Sequence, residues 1–446
     1  MERHADVVVV GAGIVGCAAA YFLARRGLRV AVVERATVHG EQSRKNWGFV
    51  RQQGRDPSEL PLMMESNRFW RGLEAELGAD IEWVQGGNLA LAANDERMAL
   101  FEQWLPVARD FGLDSRTILP ADLLTVVPGL AGRWAGGLYT PSDGHADPEK
   151  ATDALARAAV AHGASIHLGC AVEGVATRSG AVSAVATERG EIATSWVVCA
   201  AGAWSWRLAR TLGLALPQRW VRGTVARTTP ASPITPCAVW APGVAFRQRR
   251  DGSFNIAAGG ALDHDVTLDS LRQVRFFLPS FWKNKAMFRF HVGRPLGRSL
   301  RATLPGSPAR RQPLVWDRGI EPVPNPDKVR RSLAELGRVL PSVRHLGIAR
   351  SWAGYIDATP DLLPVLGEVA APRGFVLATG FSGHGFAMGP VAGRLVSELI
   401  VDGKASLDVS AFRFSRFAEG AIGPRAMSCE PNPDSVNRIP VGGEST

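Results

Sequence analysis

Four valines, Val7 to Val10, run straight into Gly11-Ala12-Gly13-Ile14-Val15-Gly16, and a second apolar run, Arg29 to Val33, ends at Glu34. Strand, glycine turn, helix and acid in this order make a nucleotide-binding βαβ unit, which commits the opening of the chain to an α/β fold with a parallel sheet. Gly11 permits the tight turn, Gly13 lets the backbone approach a pyrophosphate, and Gly16 lets the helix lie close to the sheet. Ile14 and Val15 open that helix, whose N-terminus faces the phosphates. Gly27 stops it before the second strand. Glu34, followed by Arg35, is placed to accept hydrogen bonds from a ribose hydroxyl, which argues against a 2′-phosphate. The motif alone leaves open whether the nucleotide is FAD or NAD.

At 446 residues the chain is too long for one ordinary core, so two domains are expected. No apolar run is long enough to span a bilayer, and the first strand begins almost at the initiator methionine, so the expected compartment is the cytoplasm. Cys17, Cys170, Cys199, Cys237 and Cys429 form no CxxC or zinc-like cluster; they read as buried thiols, and no metal site is expected. The formal charge of +9 is uneven: Ser270 to Trp316 holds no Asp or Glu but ten Lys or Arg, interleaved with Phe276, Phe277, Phe281, Trp282, Phe288 and Phe290. Such a stretch suits a peripheral membrane contact or an acidic partner subunit. The plainer alternative is aromatic packing under solvated charges, since Pro279 is expected to interrupt a long amphipathic helix. No nucleic-acid recognition motif accompanies the charge.

Further along, the pattern predicts helices over Met63 to Leu77, Glu96 to Phe111 and Glu149 to His162, the last capped by Asp147-Pro148. Strands are expected at Gly86 to Leu91 and Ser165 to Leu168, with two short strands around Ser179-Gly180. Trp196 to Cys199 breaks into Ala200-Ala201-Gly202-Ala203-Trp204-Ser205, the small-residue strand end that a close ligand demands. Gly374 to Ala378 forms a strand leading into a second glycine turn, Thr379 to Phe386, and a helix from Met388 to Val401.

Together these segments resemble the D-amino-acid oxidase-like family of FAD-dependent amine oxidoreductases, over nearly the whole chain up to Phe417. The resemblance is carried by Gly11 to Gly16 with Glu34, by Ala200 to Ser205, by Trp352-Ala353-Gly354-Tyr355-Ile356-Asp357-Ala358-Thr359-Pro360-Asp361, and by Gly380-Phe381-Ser382-Gly383-His384-Gly385. The run Asn46 to Arg55 is most similar to the group of opine oxidase, D-hydroxyproline dehydrogenase and the sarcosine oxidase beta subunit. The implied fold is α/β: a Rossmann-like FAD-binding domain assembled from residues 1–85, 145–215 and 347–417. An α+β substrate domain with a mainly antiparallel sheet takes 86–144 and 216–346, and 418–446 is expected to be a disordered tail.

The resemblance implies FAD, with Gly383, His384 and Gly385 near the isoalloxazine and Ser43, Arg44, Asn46, Trp47 and Gly48 in the stretch beside it. Val172, Ala201, Gly202, Trp204, Gly354, Gly380 and Ser382 complete the expected cofactor set. Only one nucleotide fingerprint is present, so the electrons are expected from an organic substrate: an amino acid, opine or secondary amine oxidised at its C–N bond, with oxygen or a quinone as final acceptor. Relatives with covalently held flavin carry a cysteine where Gly354 stands, so non-covalent binding is implied. Relatives that hold the substrate carboxylate with an arginine soon after Trp-x-Gly have it where this chain has Ile356. Arg51 and Arg55 are the replacement candidates, because a guanidinium grips a carboxylate with two parallel bonds. The alternative for both is a salt bridge to Asp56, Glu59 or the FAD phosphates. Asn255 aligns with the sarcosine oxidase lysine, which tilts the reading toward a dehydrogenase. His384 and Tyr355 are the catalytic candidates, Tyr355 also as a wall over substrate; no general base is assigned. The competing readings are a flavin-bearing subunit of a larger dehydrogenase and an FAD monooxygenase.

Overall fold

The computed structural model describes residues 2–259, 262–284 and 288–422. Val7–Val10 forms the middle of a six-stranded sheet, with Val30–Val33 and then Ser165–His167 on one side and Trp196–Cys199, Phe375–Thr379 and Val365–Glu368 on the other. All pairings are parallel except that of Val365–Glu368. The valine runs are continuous because both faces are covered. Val7, Val9, Val30 and Val32 face the helices Ile14–Arg25, Leu60–Leu77, Pro148–Ala161 and Gly385–Val401. Val8, Val10 and Val33 face a three-stranded antiparallel sheet, Val172–Arg178, Ala181–Thr187 and Gly190–Ala193. The first and last of those helices press together through small residues: a Cβ on Gly393 would stand 2.4 Å from the Ala19 nitrogen.

The second sheet has ten strands and is mainly antiparallel. Its centre is Arg219–Thr228, paired on one side with Phe254–Ala257 and on the other with Ile348–Ala358. Asn88–Ala92, Gly136–Thr140 and Arg116–Ile118 continue it beyond Ala238–Ala241. The segment 86–144 therefore reaches this sheet from far away in sequence. One assignment changes: Ile348–Ala358 lies in the expected 347–417 nucleotide segment, yet it pairs residue by residue with Arg219–Thr228, while Asp357 near its end accepts the Gly380 amide of the second glycine turn. Its alternating apolar residues suited either sheet, and the partner strand decides.

Several boundaries shift. The last long helix starts at Gly385, not Met388, and runs through Pro390. A helix also spans Val274–Asn284, so Pro279 does not interrupt it. No described helix is long and apolar enough to cross a membrane. Past Val401 the chain returns to the core: buried Arg416 holds Asp361 through two bonds of 2.8 and 3.2 Å. Of the expected disordered tail, residues 423–446 lie outside the described residues.

Candidate active site

The glycine turn is built by exclusion. Gly11 has φ +106°, and a Cβ there would stand 2.5 Å from the Ala200 carbonyl. A Cβ on Gly16 would stand 1.9 Å from the Gly11 oxygen, so this glycine serves helix packing. Gly13 has ordinary backbone angles, and a Cβ there would meet only the Ser43 hydroxyl, at 3.0 Å. The approach to Gly13 is therefore open. The helix it starts has a glycine at its N-cap and no acid in its first turn; the Ser43 hydroxyl accepts the Ile14 amide at 2.9 Å, and the dipole of this end still favours an anion. Glu34 accepts from the Ala12 and Ala36 amides at 2.9 and 2.8 Å. Burial pushes its carboxyl above the usual range, and those two amides oppose the shift.

From this turn a cavity of ≈ 330 Å³ runs between the two sheets. Gly11, Gly13, Ile14, Val15, Glu34, Arg35, Ser43, Asn46, Trp47, Val172, Ala201, Gly202, Trp204, Gly354, Ser382, Gly383, His384 and Gly385 line it, as do Arg51, Arg55 and Tyr355. Four of the expected cofactor residues are placed otherwise. Gly16 acts through packing, as above. Arg44 turns to Glu321, 2.7 Å away. Gly48 gives room to the buried Arg247, whose Nε donates to the Trp47 carbonyl at 2.6 Å. Gly380 has φ +69° and donates its amide to Asp357 at 2.8 Å. Asn255 is likewise away from the cavity: it lies in the strand Phe254–Ala257 beside Arg227, Arg249 and Trp352, and its Oδ1 is buried without a partner. Its alignment rested on spacing across a region whose strand lengths the sequence left open.

The walls are tied by residues to which the sequence assigns no role. Asp357 accepts from Gln42 Nε2 at 2.9 Å, and Gln42 Oε1 accepts the Ala203 amide at 2.8 Å. With the Gly380 bond, one carboxylate joins the 42–46 segment, the 200–204 turn and the second glycine turn. Arg35 lies 4.0 Å from the Trp204 ring and pairs with Glu41 and Asp317; Arg207 also pairs with Asp317. A glutamine after a charged loop carries no sequence signal of this kind. Asp357 falls within the Trp352 to Asp361 run, where the resemblance assigns it no role.

At the other end the cavity is basic and aromatic. Trp47, Phe49 and Trp240 form a cluster with ring separations of 4.9 to 5.8 Å, and the Arg51 guanidinium lies 4.6 Å from the Trp240 ring. Arg51 Nη1 donates to the Gln53 carbonyl at 3.1 Å, and Arg55 Nε donates to the Arg51 carbonyl at 3.3 Å. The segment is held from below: buried Asp143 accepts the Gln52 and Gln53 amides at 2.7 and 3.2 Å. Burial pushes the Asp143 carboxyl up to about 6 against these bonds. His384 Nδ1 lies 3.0 Å from Glu59 Oε1. Its pKa falls below the usual imidazole value through burial first and then the Arg55 charge, with Glu59 opposing. Tyr355 stacks on Trp220 at 4.8 Å, and burial pushes its hydroxyl to about 12. Tyr355 also lines a second cavity of ≈ 340 Å³ with Trp220, Arg298 and Trp316.

An acid-free helix start beside Gly13, an acid at the ribose position and a long cavity reaching the second glycine turn fit a flavin dinucleotide. Comparison with known proteins agrees. L-amino acid deaminase from Proteus vulgaris superposes with a TM-score of 0.87 at 27% identity, covering 93% of this chain and 98% of that one. Glycine oxidase from Geobacillus kaustophilus is 25% identical over 93% of this chain and 98% of its own length. Mitochondrial sarcosine dehydrogenase of Mus musculus is 28% identical over 94% of this chain, which spans only 42% of that longer protein. Residues 6–399 match the family described as DAO, FAD dependent oxidoreductase. The chain belongs to this family of FAD-dependent oxidoreductases, and FAD is its cofactor.

Proposed function

We propose that the protein oxidises the C–N bond of an amino acid or N-substituted amino acid to an imine, which water hydrolyses to an oxo acid and an amine. The observation that carries this reading is the pair Arg51 and Arg55, brought to the cavity next to His384 and the Trp47, Phe49 and Trp240 cluster. The names of the relatives, glycine oxidase and sarcosine dehydrogenase, support the substrate class. FAD, held by Gly11, Gly13, Glu34, Ser43 and the second glycine turn, supplies the two-electron acceptor. Gly354 at the position of the linking cysteine supports binding without a covalent bond.

The chain's own groups do the rest. Arg51 and Arg55 bind the substrate carboxylate, replacing the arginine absent at Ile356. Two guanidiniums also suit an opine, which carries a second carboxylate. The aromatic cluster shields the apolar part and excludes water. His384 donates Nδ1–H to Glu59, which leaves Nε2 as the acceptor toward the substrate amine; its lowered pKa keeps the imidazole neutral at pH 7. Tyr355, stacked on Trp220, closes one wall. Cys17, Cys170, Cys199 and Cys237 are unpaired and buried, which suits a reducing, cytoplasmic compartment.

The test is anaerobic mixing of the purified flavoprotein with D-amino acids, L-amino acids, N-methyl amino acids and opines, following the visible flavin band. Bleaching by one class, with KM raised at least about tenfold in Arg51→Met, is expected. A flavin-replete protein bleached by none of these classes refutes the reading.

A further inference from the structure

Of the large apolar side chains that the described residues leave exposed, more than half fall between Leu271 and Leu304. They are not scattered. Val274, Leu278 and Trp282 recur every four residues along the helix Val274–Asn284 and are 51, 45 and 63% exposed, with Leu271 at 65% just before it. Residues at this spacing lie on one face. The neighbouring edge strand, Phe288–His291, adds Phe290 at 54%, and Val292 follows it at 76%.

The opposite side of this segment is fastened to the body. Arg219 Nη1 donates to the Asp269 carbonyl at 2.7 Å, and its guanidinium lies 4.9 Å from the half-buried Phe277 ring. His264 meets the Ser270 hydroxyl at 3.0 Å. The stripe is thus presented outward on an anchored platform. In the same stretch Arg275, Arg289, Arg294 and Arg301 are exposed, and no acid occurs from Ser270 to Trp316. Soluble monomers rarely expose so many large apolar side chains within one short segment. A tryptophan- and leucine-bearing helix face in an acid-free, arginine-rich segment fits the interfacial plane of an anionic bilayer.

We infer that the face formed by Leu271, Val274, Leu278, Trp282, Phe290 and Val292 docks the protein peripherally on an anionic lipid surface. The apolar stripe enters the headgroup boundary and the arginines meet lipid phosphates. Further along the same acid-free stretch, Arg298 and Ser299 line the second cavity, which Tyr355 also lines.

The full-length flavoprotein is sedimented with phosphatidylcholine vesicles, alone or with about one third phosphatidylglycerol. The expected result is partition to the mixed vesicles only, reduced by salt. Leu278→Ser/Trp282→Ser and Arg294→Glu/Arg301→Glu should each lower partition at least about tenfold. Neither pair touches the flavin cavity, so both variants should keep the FAD absorbance and thermal melt of the parent, which separates lost docking from lost fold. Absence of binding to mixed vesicles overturns the inference. So does equal binding by folded variants, or a concentration-dependent dimer abolished by the same substitutions, which would make the face a contact between copies of the chain.

Discussion

Replacing Asp357 should loosen the cofactor site while leaving every glycine in place. Its carboxylate is 3% exposed and accepts the Gly380 amide at 2.8 Å and Gln42 Nε2 at 2.9 Å. Asp357→Ala leaves the buried Gly380 amide without this acceptor and releases the half-buried Gln42 side chain toward the cavity. The buried loss alone costs about 1–3 kcal/mol. Asp357→Asn retains one accepting oxygen and should lose about half as much. Gln42 is then no longer fixed between Asp357 and the Ala203 amide, and the two turns facing the cofactor lose their shared tether. If 2 kcal/mol of this appears in binding, the apparent FAD dissociation constant rises about 30-fold. Titrating apoprotein with FAD, followed by flavin fluorescence quenching, gives the constant, and thermal melts with and without FAD give the stability change. A folded Asp357→Ala protein with wild-type FAD affinity and melting temperature would falsify the tether.

Three further outcomes follow from the same geometry. Gly13→Ala should fold yet retain little FAD, because its Cβ meets only the Ser43 hydroxyl and fills the approach, whereas Gly11→Ala collides with the Ala200 backbone and should yield little soluble protein; absorbance ratios and yields separate the two. His384 has a pKa below its unfolded value, so its contribution to stability is present above about pH 6.5 and is lost as pH falls toward the folded value; in His384→Gln the melting deficit seen at alkaline pH should shrink at acid pH. Asp143 has the opposite sign: its pKa is raised to about 6, so its contribution is lost as pH rises from the unfolded value of about 4 through 6, and melts of Asp143→Asn should lack that step.

The nucleotide unit could be read from the sequence because its constraints are local. Gly11, Gly13 and Gly16 obey rules about what one turn can fit, and valine runs buried on both faces announce a parallel strand. The second glycine turn, Gly380 to Gly385, was legible for the same reason. Ile348–Ala358 was not, since its sheet is decided by a strand more than a hundred residues away. Asn255 failed similarly: counting residues across short strands gives no face and no depth. Gln42 escaped because its role needs Ala203 and Asp357 brought to it from opposite sides. Arg51 and Arg55, the expected replacements for the arginine absent at Ile356, do line the cavity, and their hold on a carboxylate is part of the proposal above.

The order of strands in the first sheet bears on how the protein is made. Val7–Val10 is made first of these strands, but its neighbour Trp196–Cys199 follows nearly two hundred residues later, and Phe375–Thr379 later still. The turn that carries His384 emerges after all of them. Synthesis proceeds from the N-terminus, so a growing chain holds only the first part of the proposed cofactor cradle until residue 385 is made. FAD capture should then wait on that turn, and a message truncated before residue 385 should yield a product that does not keep the flavin.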